Sequence, residues 1–133
     1  MKLLLLLILV IPILLSAQTK HDNTIVIPSQ GLTEEKITQI LVSNGYGIAN
    51  SNRTYYQTTP KTKEYGMTVK LTLLLTDSLC LIKGDIDPNY TLMGQKSWYK
   101  PIEYGKGGYI KTGWAEMLKV AASFSGKLTF KNQ

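Results

Sequence analysis

Between Met67 and Leu75 the chain alternates, with Met67, Val69, Leu71, Leu73 and Leu75 on one side and Thr68, Lys70 and Thr72 on the other. A two-residue period puts successive side chains on opposite faces of a strand, so this segment predicts a strand dry on one face and wet on the other. Thr76-Asp77-Ser78 has the composition of a turn, and Leu79 to Gly84 reads as the returning strand of an antiparallel hairpin. That strand is apolar on both faces, with Leu79 and Leu81 on one and Cys80 and Ile82 on the other. Something is expected to cover its second side.

The flanking segments supply partners for this hairpin. Ile25-Val26-Ile27 before Pro28 reads as a short first strand. Thr33 is placed to cap a helix, Glu34 and Glu35 put negative charge in its first turn, and Leu32 can pack on Ile37 as a hydrophobic staple. Ile37, Ile40 and Leu41 share one face of that helix, and Asn44-Gly45 ends it. Ile48 to Thr59 suits an edge strand bent or bulged around Asn52-Arg53 and stopped by Pro60. Asp85 to Gly113 carries Tyr90, Leu92, Met93, Trp98, Tyr99, Tyr104 and Tyr109 among glycines and lysines. A connection of that length without regular structure is uncommon, so it predicts a packed functional loop or a further short strand, and it is the natural cover for Leu79 to Ile82. Trp114, Met117, Leu118 and Ala121 follow at helical spacing and predict an amphipathic helix with Trp114 as a core anchor. Leu128 and Phe130 alternate with Lys127 and Lys131 as a short final strand.

The order predicts an α+β, two-layer sandwich: an antiparallel sheet of about four strands with two helices on one face, as β-α-β-β-β-loop-α with a last short strand. Residues 24–133 form the single domain, and 18–23 a flexible lead-in.

The first 17 residues have a different character. Lys2 is a minimal positive region, and Leu3 to Leu15 form an apolar run interrupted only by Pro12. Crossing a bilayer takes about 20 apolar residues, so this run predicts a signal peptide rather than an anchor, with cleavage between Ala17 and Gln18. The product is then periplasmic or secreted and has no transmembrane segment. Removing the leader leaves 116 residues of net charge +5. Residues 96–133 hold seven Lys against two Glu, while residues 18–95 are balanced at seven of each sign. A basic last third attracts acidic glycans and other polyanions through its long-range field.

Ser16-Ala17-Gln18, the stretch from Leu32 and Thr33 through Glu34 and Glu35 to Asn44-Gly45-Tyr46 and Ile48 to Ser51, Thr59-Pro60-Lys61, the hairpin from Val69 to Gly84, and Gly113-Trp114-Ala115-Glu116-Met117 together resemble small exported domains of Bacteroidetes. The resemblance implies a basic α+β envelope domain similar to the TATA-binding protein or to a helix-grip domain, and it implies no activity. Asp77-Ser78-Leu79 is similar to the acceptor pattern for protein O-glycosylation in that group, which makes Ser78 a modification candidate.

No motif in the chain specifies a cofactor. His21 is the only histidine and lies in the lead-in expected to be flexible, a poor position for a base that must stay within hydrogen-bond reach of a nucleophile. Cys80 is the only cysteine, so it makes no intramolecular disulfide, and its apolar neighbours raise rather than lower a thiol pKa. Asp85-Ile86-Asp87-Pro88-Asn89 opens like a calcium loop, but Tyr90 stands where glycine is needed and Lys96 where a bidentate glutamate is needed. Zinc-ligand spacing is absent. The remaining candidate is the aromatic and lysine mixture of Trp98, Tyr99, Lys100, Tyr104, Lys106 and Tyr109, whose rings can stack and whose cations can pair with anions. Together these features predict a non-catalytic envelope module that binds a protein or glycan partner in preference to nucleic acid. The alternative is a small hydrolase or an enzyme subunit, which a pocket joining Asp85, Asp87 or Glu103 to the tyrosine-rich segment would favour. N-terminal sequencing of the exported protein is expected to begin at Gln18, and a product that retains Met1 refutes the leader.

Overall fold

The computed structural model describes residues 18–94 and 96–133. The predicted leader, 1–17, lies outside the described residues. Eight strands and two α-helices follow among the described residues: β1 (Thr24–Pro28), α1 (Glu34–Ser43), β2 (Ile48–Asn52), β3 (Tyr55–Thr58), β4 (Lys61–Thr62), β5 (Thr68–Leu75), β6 (Leu79–Asp87), β7 (Lys100–Pro101), α2 (Tyr109–Ala122) and β8 (Thr129–Lys131). The fold is α+β, and its antiparallel sheet has eight strands rather than about four.

The predicted hairpin is the centre of the sheet. β5 and β6 pair from Thr68 opposite Asp87 to Leu75 opposite Cys80, and β1 lies along the other side of β6 with Ile25 opposite Ile82. This register puts Ile25, Ile27, Leu71, Leu73, Cys80, Ile82 and Ile86 on one face. There they form one buried cluster with Ile37, Ile40 and Leu41 of α1 and Trp114, Met117 and Val120 of α2. Leu73 and Trp114 therefore belong to the same dry interior. The α1 cap is as expected: the Thr33 hydroxyl accepts from the Lys36 amide.

The additional strands come from three places. Ile48 to Thr59 is a hairpin, not one bent strand, because Asn52 pairs with Tyr55 and the Asn52 side chain accepts from the Thr54 amide to close the turn. Pro60 interrupts the next strand without ending it. The pairing moves from Gln57 opposite Thr72 to Lys61 opposite Val69, a slip of one residue, and the Thr58 hydroxyl takes the Leu71 amide across the break. The third addition is β7, beside Asp85 and Ile86 at the far end of β6. The long segment thus packs on the Ile86 end, and Leu79 at the other end remains 38% exposed.

Helix α2 begins at Tyr109, well before Trp114, and Gly113 is inside it. The reason for glycine here is contact. A Cβ on Gly113 would lie 2.8 Å from two side-chain carbons of Ile102, and one on Gly84 of β6 would lie 2.9 Å from Ile102 Cδ1, 3.0 Å from Met117 Sδ and 3.2 Å from Leu71 Cδ2. Ile102 is fully buried and its amide donates to the Gly84 carbonyl at 3.0 Å. Its side chain fills a slot made by the two missing methyl groups. Overpacking such a site costs about 1–3 kcal/mol. Gly84→Ala is expected to lose that much stability in urea denaturation, and adding Ile102→Val, which deletes Cδ1, is expected to recover part of it; an unchanged midpoint for Gly84→Ala alone refutes the slot.

Candidate functional site

The six residues predicted to bind a partner are divided among separate surroundings. Trp98 is 54% exposed, with the Lys100 ammonium 5.4 Å from its ring centre. Tyr99 lies over the outer face of the sheet, its ring 4.1 Å from Lys70 Nζ and its hydroxyl 2.9 Å from that of Thr68. Tyr109 meets Tyr90 edge to face at 6.0 Å and packs against the core. Only Tyr104 and Lys106 share a concave surface.

That surface is a cleft of about 480 Å3 between the start of α2 and the segment after Ile102. Trp114, Ala115 and Leu118 come from the helix, and Tyr104 closes the opposite wall. The Tyr104 and Trp114 rings are 5.8 Å apart, and Trp114 continues inward to Phe130 at 6.0 Å, so the wall is the outer end of a core aromatic row. Lys106 and Lys111 also line it. The Trp114 indole donates to Gln18 Oε1 at 2.8 Å. Residues 18–23, expected as a flexible lead-in, are thereby tied to the domain: the Tyr104 amide donates to the Asp22 carbonyl at 2.7 Å and the His21 amide to the Tyr104 carbonyl at 2.9 Å.

Glu103 is the one carboxylate of the cleft. His21 Nδ1 lies 3.0 Å from it and Lys106 Nζ 3.5 Å. The hydrogen bond from His21, helped by the charge of Lys106 against a smaller opposing effect of burial, holds its pKa below the ordinary glutamate value. A carboxyl so held stays ionised near neutral pH and is badly matched to donating a proton. The other two carboxylates singled out lie elsewhere. Asp87 accepts from the Asn89 amide and from the Ser97 hydroxyl. Asp85 borders a smaller pit with Asn23, Thr72 and Lys83 on the outer face, where burial raises its pKa and the charge of Lys70 opposes the rise. Cys80 is buried, and burial pushes its thiol up to about 12. Ser78 is exposed in the β5–β6 turn.

A second charged group was not apparent from the sequence. Glu116 is only 3% exposed, yet it lies on the inner side of α2. Lys61 Nζ reaches its Oε1 at 2.6 Å, Lys63 Nζ its Oε2 at 3.0 Å, and the Tyr46 hydroxyl donates to Oε1 at 3.1 Å. Lys61 also donates to the Asn44 carbonyl at 2.7 Å, so one carboxylate joins α2, the end of α1 and β4. Burial works against its ionisation, but the two lysines and the tyrosine outweigh it and its pKa lies below the ordinary value. The available signal was Glu116 itself, a charged residue one turn after Gly113 and one turn before Val120 on the buried stripe.

No family model, curated protein or solved structure matches this chain. Among the described residues no helix is long and apolar enough to cross a membrane.

A carboxyl with a depressed folded pKa contributes stability that is complete above its unfolded value, about 4.3 for glutamate, and is lost as pH falls through the lower folded value. Glu116→Gln is expected to cost about 1.5–3 kcal/mol at pH 7. It is also expected to flatten the loss of stability below about pH 4.3; a variant with the same acid dependence as the parent shows that Glu116 contributes nothing to it.

Proposed function

We propose that this protein is an exported, non-catalytic binding module that holds a protein or glycan partner at the Tyr104–Trp114 cleft. The observation that carries this reading is an apolar, ring-walled cavity with lysines at its rim and a carboxylate held ionised by its neighbours. Its volume falls within the roughly 300–1,000 Å3 of small-ligand pockets, which are mostly apolar with a few placed polar groups. A hydrolytic role is the weaker reading. The cleft does join Glu103 to Tyr104, but Glu103 is kept in its charged form, and the carboxyl with a raised pKa, Asp85, borders a different surface.

The export part of the proposal rests on the sequence of residues 1–17, and the binding part on the cleft. Binding is tested by co-sedimentation of the exported protein with cell-envelope material. Tyr104→Ala with Lys111→Gln is expected to lower retention at least about tenfold, the loss of one ring contact and one charged contact. Retention equal to the parent, in a variant with an unchanged melting temperature, removes the cleft from the proposal.

A further inference from the structure

We infer that the ligand held in the cleft is an acidic saccharide, a pyranose ring carrying a carboxylate; this rests on the reading of the cleft as the binding site. Three features favour that chemistry. The first is the wall: Tyr104 is 37% exposed and presents an aromatic surface beside Leu118 and Ala115. The C–H face of a pyranose is apolar and flat, and it packs on a surface of that kind while its hydroxyl edge stays in water.

The second is the imbalance of charge. Lys106 already faces Glu103 at 3.5 Å, and His21 faces the same carboxylate at 3.0 Å. Lys111, exposed at the rim, makes no ion pair among the described residues. The cleft thus has a spare cation and no spare carboxylate, which favours an anion over a neutral or cationic ligand. The third is scale and field. About 480 Å3 accommodates one or two sugar rings, and the excess of lysine over residues 96–133 draws a polyanionic chain toward the site before contact.

The test is a chemical-shift titration of the exported protein with D-glucuronate, methyl glucoside and benzoate, repeated for Lys111→Gln. Glucuronate is expected to shift Tyr104 and its neighbours and to bind about tenfold more tightly than methyl glucoside, the worth of one charge-assisted hydrogen bond. Lys111→Gln is expected to remove most of that advantage, and higher salt to reduce it. Equal affinity for glucuronate and methyl glucoside overturns the acidic ligand and leaves the cleft as a binding site, and an advantage that survives Lys111→Gln overturns Lys111 as the group that selects it. Benzoate binding as tightly as glucuronate overturns the saccharide. If none of the three shifts the cleft the saccharide proposal also falls, and the cleft itself stands or falls separately on envelope retention of the Tyr104→Ala, Lys111→Gln variant.

Discussion

The close approach of helix α2 to strand β6 is the constraint on which the remaining structure depends. Gly84 and Gly113 face each other across the layer, and Ile102 fills the space that two Cβ atoms would take. Interiors are packed to a density at which one added methyl group is felt, so this contact fixes the distance between sheet and helix. It also fixes a loop. Ile102 is buried with its amide on the Gly84 carbonyl, and Glu103 and Tyr104 follow immediately, so two residues of the cleft are placed by a core contact. The cleft is therefore a consequence of how the layers pack, with Trp114 serving as core on one edge and as wall on the other.

Two glutamates with lowered pKa values illustrate two uses of the same chemistry. Glu116 is buried and joined to Lys61, Lys63 and Tyr46, contacts that reach from α2 to β4 and the loop after α1. Desolvation makes such a group costly unless every oxygen is engaged, and here both are. It holds elements in register. Glu103 is at the surface, where solvent screens its interactions with His21 and Lys106 and little stability follows from them. Its effect is instead on the local field, because it pairs with Lys106, whereas Lys111 on the same cleft makes no ion pair among the described residues.

The central hairpin, the Thr33 cap and the shared interior of Leu73 and Trp114 were legible because each is written in local pattern: a two-residue period, a capping hydroxyl and a helical stripe. What was not legible lacks such pattern. The first turn of α2 has no acidic residue, its cap is Gly108 without a side-chain hydrogen bond, and Ile110 and Thr112 are β-branched, so residues 109–113 look like loop. β7 is two residues long and has no periodicity. The β2–β3 turn is closed by the Asn52 side chain instead of a glycine, and Pro60 looks like a stop because the Thr58 hydroxyl that bridges the break comes from a tertiary contact. Of the candidate site, Tyr104 and Lys106 were found through composition, whereas Trp114, Lys111 and Gln18 join them only once the helix is laid beside the loop.

The proposed binding at the cleft would be coupled to stability by the cleft's location. Tyr104 exchanges backbone hydrogen bonds with Asp22 and His21, and Trp114 donates to Gln18, so the segment before β1 is attached in part through the cleft wall and in part through Asn23, which bonds to Lys131 and Gln133. A ligand that holds Tyr104 in place holds that segment too. By mass action it stabilises whatever state has the wall formed, with no rearrangement of the sheet. The sheet and its Ile102 slot supply a frame, and the Tyr104 ring and the Lys111 ammonium line the cleft at the edge of that interior.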